Sequence, residues 1–319
     1  SAELSGFTLR DGGTYKPNPA MALVSGGGVR CGDLGLVTEC ILISNIAAYG
    51  GGSSGGTLSH CVLNGNWSRY NGGGSWNSIL KNCTVADNTA DFSGGGAKGG
   101  TLYNCTVVGN AAGSGGGAAA ASLANTIVYG NTAPAEANHT NCTVNYSCTT
   151  PDPGGTGNIT NDPQFVDAAA GNYRLAAGSP CIDTGDSAAL IGPEDLDGHP
   201  RMVDATVDMG AYEYQAAGGT ILMAYPARTD VGEGAASGLT LGVTANAAWT
   251  AATNAPWLAI TSGESGTTNG TILFDVVANA GAARTGAIVV AGGGISRTCT
   301  VVQAAFVPAL AVSPANTNV

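Results

Sequence analysis

Few side chains in this sequence stand at spacings that support chemistry. Asp87 and Asp91 are the closest pair of acids in residues 1–160. A carboxylate pair is what cleavage of a glycosidic bond requires, so these two are the candidate catalytic residues. The competing reading is a solvated turn. Trp67, Tyr70 and Trp76 precede them, and ring faces of this kind pack on pyranoses, which makes the three candidate carbohydrate-binding residues. Asp195-Leu-Asp197-Gly198 is a short oxygen-rich loop of the kind Ca²⁺ accepts. It lacks the remaining spacing and the final Glu of an EF-hand, so structural turn carboxylates are the first reading and Ca²⁺ the alternative. His60, His139 and His199 stand singly. No Ser-His-Asp spacing or CxxC pair occurs, and the Gly-Gly-Gly runs lack the lysine and following helix of a phosphate loop. Catalysis is therefore the lesser expectation, with a polysaccharide lyase or glycosidase as its form.

The elements that must position these residues follow from composition and repetition. Only 10% of the 319 residues are charged, so the surface must be built from Asn, Thr, Ser and Gly. The 44% apolar content still suffices for a packed interior. Net charge is −11 without a basic stripe, which argues against nucleic acid and anionic membrane as partners. The longest apolar runs, such as Cys40-Ile-Leu-Ile43, are too short for membrane insertion of this segment.

Glycine triplets begin at Gly26, Gly50, Gly72, Gly94 and Gly115, a period of about 22 residues. Within each unit runs aliphatic-x-x-Cys-x-aliphatic-x-x-Asn. Its cysteines are Cys40, Cys61, Cys83 and Cys105, with Thr126 in the fifth unit. Its asparagines are Asn45, Asn66, Asn88, Asn110 and Asn131. A leucine-rich repeat shares part of this string but needs a helical segment where these units carry Gly-Gly-Gly, and glycine costs roughly 1 kcal/mol per residue in a helix. A parallel β-helix fits better, with glycines in turns of positive φ and coils stacked about 4.8 Å apart. Equivalent residues then form files. The asparagines are expected to bond from coil to coil at one corner, and the cysteines to fill a narrow interior as free thiols. Parallel Cα–Cβ vectors disfavour disulfides within that file, and a linear column does not converge on a metal. Pairing of Cys142 with Cys148, or of Cys148 with Cys181, stays open.

Leu4-Ser-Gly-Phe-Thr-Leu-Arg-Asp-Gly12 followed by these units resembles the right-handed parallel β-helix family of pectate-lyase-like proteins, over about residues 1–160. The resemblance implies the fold and not the function, since lyases, hydrolases, adhesins and inert spacers share it. Residues 161–217 differ in composition. Between Asn161 and Gln215 there are ten acids and two bases. Asn-Asp-Pro-Gln-Phe-Val-Asp167, Ser179-Pro-Cys-Ile-Asp-Thr-Gly-Asp186 and Asp195-Leu-Asp-Gly-His-Pro-Arg201 followed by Val207-Asp-Met-Gly-Ala-Tyr-Glu-Tyr214 resemble the choice-of-anchor Q segment of bacterial surface proteins. That resemblance implies a cap on the open solenoid end, with Arg201 ion-paired to its carboxylates.

After a small linker at 215–219 the period vanishes and short strands suggest an antiparallel sandwich over 218–306. Ala248-Trp-Thr, Ala255-Pro-Trp-Leu-Ala-Ile260, Arg284-Thr-Gly-Ala-Ile288 and Thr300-Val-Val-Gln303 resemble the BACON domain, an immunoglobulin-like module. Trp249 and Trp257 are candidate sugar-stacking residues there, with core packing as the competing reading. Leu310, Pro314, Ala315, Thr317 and Val319 repeat Leu222, Pro226, Ala227, Thr229 and Val231, each 88 residues on. Residues 307–319 are thus expected to begin a further BACON-like copy or to donate a strand to a neighbour, in a longer or polymeric chain.

The expected architecture is all-β: a right-handed parallel β-helix solenoid plus a small antiparallel β-sandwich. The expected function is a structural or adhesive module of an extracellular bacterial surface protein, contacting neighbouring domains or subunits. Polysaccharide binding or cleavage is the alternative, with Ca²⁺ as its possible cofactor.

Overall fold

The computed structural model describes residues 2–14, 25–203, 206–215, 220–226 and 228–306. The expected extra copy or donor strand at 307–319 and residues 216–219 of the expected linker lie outside them. The chain divides into two compact units, Ser1–Gly219 and Thr220–Val319.

The first unit is a parallel β-solenoid of about six turns. Each coil contributes short strands to four parallel sheets, two of seven strands, one of six and one of four. We name the sheets by an inward residue. The Leu58 sheet aligns Leu4, Val37, Leu58, Leu80, Leu102, Leu123 and Val144. The Leu63 sheet aligns Leu9, Leu42, Leu63, Val85, Val107 and Val128. The Ser68 sheet spans Ile46–Tyr49, Trp67–Asn71, Thr89–Ser93 and Ala111–Ser114, and the Ser53 sheet carries the glycine-rich side. The two aliphatic files line adjacent sides of one core, with the cysteines at the corner between them and Val85, Val107 and Val128 reaching towards the third glycine of each triplet. Each Leu in that core contributes about 1.5–3 kcal/mol through burial.

The corners obey a shorter period than the coil. Positive φ recurs at Gly50, Gly55, His60 and Gly65, then at Gly72, Asn77, Asn82 and Asp87, then at Gly94, Gly99, Asn104 and Gly109. Each coil thus has three five-residue sides and a longer fourth, which is why Gly, Asn and Asp dominate these positions. Within each triplet only the first glycine has positive φ. The second is needed for close approach: a Cβ on Gly73 would meet the carbonyl oxygens of Gly95 and Thr89, both at 2.4 Å. Because both obstacles are backbone, Gly73→Ala is expected to cost about 1–3 kcal/mol or more through overpacking. Urea denaturation against the wild-type chain measures this.

The described residues of 161–215 lie along the flank, against the outer face of the Leu63 sheet and its corner. Asn82 Nδ2 donates to the carbonyls of Ile191 and Glu194 at 3.0 and 3.1 Å. Asn125 exchanges bonds with the Asp186 backbone at 2.7 and 3.0 Å, and Thr106 Oγ1 accepts from the Ala211 amide at 2.9 Å. The outward residues Thr84, Thr106, Ile127 and Cys148 are consequently buried, whereas Ile41 in the same column is 43% exposed. Leu175, Cys181 and Met209 pack on Ile127 and Cys148 in a small second core, which explains why the segment settles on the flank.

The second unit has two sheets around one core. Leu222–Tyr225, Ala236–Ala245, Gly270–Val276 and Leu258–Ser262 form one of them. Arg228–Val231, Ile295–Gln303, Arg284–Gly292, Trp249–Thr253 and Ser265–Gly266 form the other. All pairings are antiparallel except Arg228–Val231 with Ile295–Gln303. Leu241, Ile272 and Phe274 from the first sheet meet Ile288, Val290, Cys299 and Val301 from the second. Among the described residues no helix is long and apolar enough to cross a membrane.

Candidate functional site

The asparagine file is a continuous hydrogen-bonded rod inside the solenoid. Asn45, Asn66, Asn88, Asn110 and Asn131 are at most 5% exposed. The Oδ1 of Asn66, Asn88, Asn110 and Asn131 each accepts two bonds from the asparagine before it, from backbone N and from Nδ2, at 2.9–3.0 Å. Nδ2 also donates to a carbonyl of the preceding coil, as Asn88 does to Leu63 at 3.0 Å. The rod begins at the Gly12 amide and ends on Asn138, whose Oδ1 accepts from Asn131 N and Nδ2 at 3.1 Å. Asn138 escapes sequence reading because it follows Asn131 by seven residues and breaks the period.

The cysteine file does more than fill space. Cys61, Cys83 and Cys105 donate Sγ–H to the carbonyls of Ser59, Lys81 and Tyr103 at 3.1–3.3 Å. Thr126 and Ser147 continue the column with the same bonds, to Ala124 at 2.9 Å and Asn145 at 2.8 Å. The position thus selects a small side chain with one donor, which thiol and hydroxyl both supply. All nine cysteines are free thiols. Hydrogen bonding to Cys83 and burial push the Cys61 thiol up, and burial does the same to Cys83. Thiolates are the reactive form. In the native chain a thiol reagent is therefore expected to label at most the half-buried Cys31 and Cys142, and all nine in denaturant. Mass spectrometry of the labelled protein gives the count.

The sugar-binding candidates of the solenoid gather on the flank of the Ser68 sheet and its junction with the Ser53 sheet. Tyr49 and Tyr70 stack at 5.1 Å, Tyr70 and Phe92 at 5.7 Å, and Trp76 lies 5.0 Å from Tyr49. Trp67 Nε1 donates to Asp91 Oδ1 at 3.1 Å. Tyr49 and Phe92 extend the set, and both stand just before a glycine triplet, as Tyr70 does. Asp87 lies on a corner of the solenoid, before Asn88, and Asp91 lies within the Ser68 sheet. Asp87 accepts from Asn64 Nδ2 at 3.3 Å and faces Asp162 and Tyr173 in a cleft.

In the flanking segment the carboxylates organise backbone. Asp195 is fully buried; its Oδ1 accepts from the amides of Asp197 and His199 at 2.9 and 2.8 Å, and its Oδ2 from Glu213 at 2.9 Å. Asp197 forms a forked ion pair with Arg174, at 2.6 Å for Nε. His199 joins them, with ligand atoms of the three residues within 4.8 Å of one another. Calcium takes six to eight oxygens. Here both Asp195 oxygens are held by amides and Asp197 by a guanidinium, so the Asp195–Asp197 set does not fit Ca²⁺.

Asp208 and Glu213 bind amides in the same way, to Asp183 and Tyr214 and to Val203 and Asp208 respectively. Arg201 is buried beside them and donates to the Gly210 carbonyl; among the described residues it makes no direct ion pair, contrary to expectation. Burial raises the Asp208 carboxyl to about 6 and pushes Glu213 well above its usual range. A folded-state pKa above the unfolded one contributes stability at low pH that is lost as pH rises through the folded value. Stability of the first unit should therefore fall between pH 4 and pH 7, by about 3 kcal/mol at most from Asp208. Urea titrations across that range measure the slope.

In the second unit Trp249 is 3% exposed, and its Nε1 donates to the Thr268 carbonyl at 2.7 Å. Gly266 and Gly270 leave room for its ring. Trp249 is core, in keeping with the core-packing reading, and offers no open face for a sugar. Trp257 is half-buried, with the Arg284 guanidinium 4.5 Å from its ring centre.

Comparison with known proteins places one family match in this second unit. No curated protein matches the sequence. A xyloglucanase of glycoside hydrolase family 5 from Bacteroides ovatus, in complex with a XXXG heptasaccharide, is 21% identical with a TM-score of 0.26, over 30% of this chain and 22% of that one. The chain thus spans about a fifth of that enzyme's length. WR4, a C. elegans MSP family member, is 10% identical with a TM-score of 0.21, over 27% of this chain and 97% of that one. Both likenesses are local and neither bears on what this chain does. A family profile described as "BACON: Putative binding domain, N-terminal" matches residues 247–304, within the sandwich.

Proposed function

We propose that the chain is a non-catalytic structural and adhesive module of a bacterial surface protein, working outside the cell. The solenoid is its stalk, and the BACON domain is its immunoglobulin-like spacer and binding module. Neighbouring domains or subunits of the same protein are its first partners. The observation that carries this reading is the use of the polar interior. The asparagine rod, the thiol–hydroxyl file and the buried carboxylates of Asp195, Asp208 and Glu213 all bond the chain to itself. Side chains held this way add cohesion and have no free atoms for a substrate.

Polysaccharide binding is the second reading, favoured by the file of Tyr49, Tyr70 and Phe92 with Trp76 beside it and the Trp67–Asp91 bond. A glycan array combined with a lyase assay on uronate polymers, with and without added Ca²⁺, separates these readings from an enzyme. Binding or silence on the array without product is expected. Accumulation of an unsaturated uronate would overturn the non-catalytic assignment.

A further inference from the structure

A cleft of about 590 Å³ opens where the solenoid corner meets the flanking segment. One wall carries Asp87, Gly109 and Tyr129 from successive coils; the other carries Asp162, Phe165 and Tyr173. Phe165 and Tyr173 meet edge to face at 5.5 Å, which fixes the pair as a rigid apolar shelf. Gly109 has a φ of +66°, and a Cβ there would meet Asp87 Oδ1 at 2.4 Å, so the glycine leaves room for the carboxylate. A Cβ on Gly130 would meet nothing within 4 Å, so the floor beside Tyr129 is open. Both tyrosine phenols are raised, by burial first and by the Asp162 charge at Tyr129 and the Asp87 charge at Tyr173, so both remain O–H donors.

No lysine or arginine is among the cleft's described lining residues. Two carboxylates without a cation, in a chain of net charge −11, repel an anionic ligand and accept hydrogen bonds from hydroxyl or amino groups. Rings for a sugar face, with acceptors on opposite walls, are the ordinary means of holding a pyranose. We propose that this cleft binds a non-acidic pyranose oligosaccharide, with its ring faces on Tyr129, Phe165 and Tyr173 and its hydroxyls donating to Asp87 and Asp162. This rests on the adhesive reading above and names the ligand class and its seat.

The test is calorimetric titration of the full chain with cello-, manno- and chito-oligosaccharides, and with oligogalacturonate and oligolysine as controls. Binding of at least one non-acidic oligosaccharide is expected, and none of oligogalacturonate. Asp162→Asn, a change at an exposed side chain, and Tyr173→Ala should each weaken it about tenfold or more, with the circular dichroism spectrum unchanged for Asp162→Asn. Absence of any saccharide binding, preference for oligolysine, or affinity that survives Asp162→Asn and Tyr173→Ala would each overturn the proposal. Affinity that survives these but is lost in Trp257→Ala would seat the ligand on the sandwich, leaving the adhesive reading intact. Turnover of any of these saccharides would instead overturn the adhesive reading.

Discussion

Replacing Asn88 by alanine is expected to destabilise the solenoid by about 4 kcal/mol or more, close to the whole stability of many domains. Asn88 sits in the middle of the rod. Removal of its side chain takes the acceptor from the Asn66 backbone N–H, a donor from the Leu63 carbonyl, and one of the two bonds of Asn66 Nδ2 and of Asn110 Oδ1, in a space that water does not reach. Each unsatisfied buried group costs about 1–3 kcal/mol, and a bonded chain loses more than the sum of isolated pairs. Asn64→Ala is the control, since that side chain is only half-buried and makes one 3.3 Å bond; a change within about 0.5 kcal/mol is expected. Urea denaturation of the two variants against the parent measures the difference.

The second large effect is expected at Asp195→Ala. Three amides, those of Asp197, His199 and Glu213, lose their acceptor at once. A cost of about 3–5 kcal/mol follows from amides left unpaired, and it should fall on residues 161–215. Limited proteolysis is expected to cut that segment first while the coils stay protected, because the outer face of the Leu63 sheet loses its cover but the interior files do not change. Calcium sharpens the result. If Asp195 organises backbone, added Ca²⁺ or EDTA should leave the melting temperature of the parent chain unchanged. A rise with Ca²⁺ that vanishes in Asp195→Ala would instead assign the loop to a cation.

Much of the architecture is legible in the residues because stacking repeats each demand at every coil. A buried corner amide, a small donor and two inward aliphatics each recur at a constant step, and the period announces the solenoid. The same logic explains what escapes. The five-residue spacing of corners is masked because Gly, Asn, Asp and His alternate there, all tolerating positive φ for different reasons. The flanking position of 161–215 is hidden because it depends on which outer residues of the Leu63 sheet need cover, and Thr84, Thr106 and Ile127 look like any strand residues. Candidate sites fare worse. Trp67, Tyr70 and Asp91 lie in the Ser68 sheet and Trp76 in the neighbouring one, while Asp87 lines a cleft with Asp162, a residue seventy-five positions away in another segment. Long-range pairings of that sort leave no periodic trace.

The most direct measurement is native-state hydrogen exchange at the backbone amides of Asn45, Asn66, Asn88 and Asn110. Each donates to the next asparagine's Oδ1 within the buried file. If the rod holds the coils together, these four amides should exchange only through unfolding of the whole unit, with one shared opening free energy equal to that from urea. Exchange at the rate of exposed loops, or at four unrelated rates, would show that the asparagines do not act as one cohesive file.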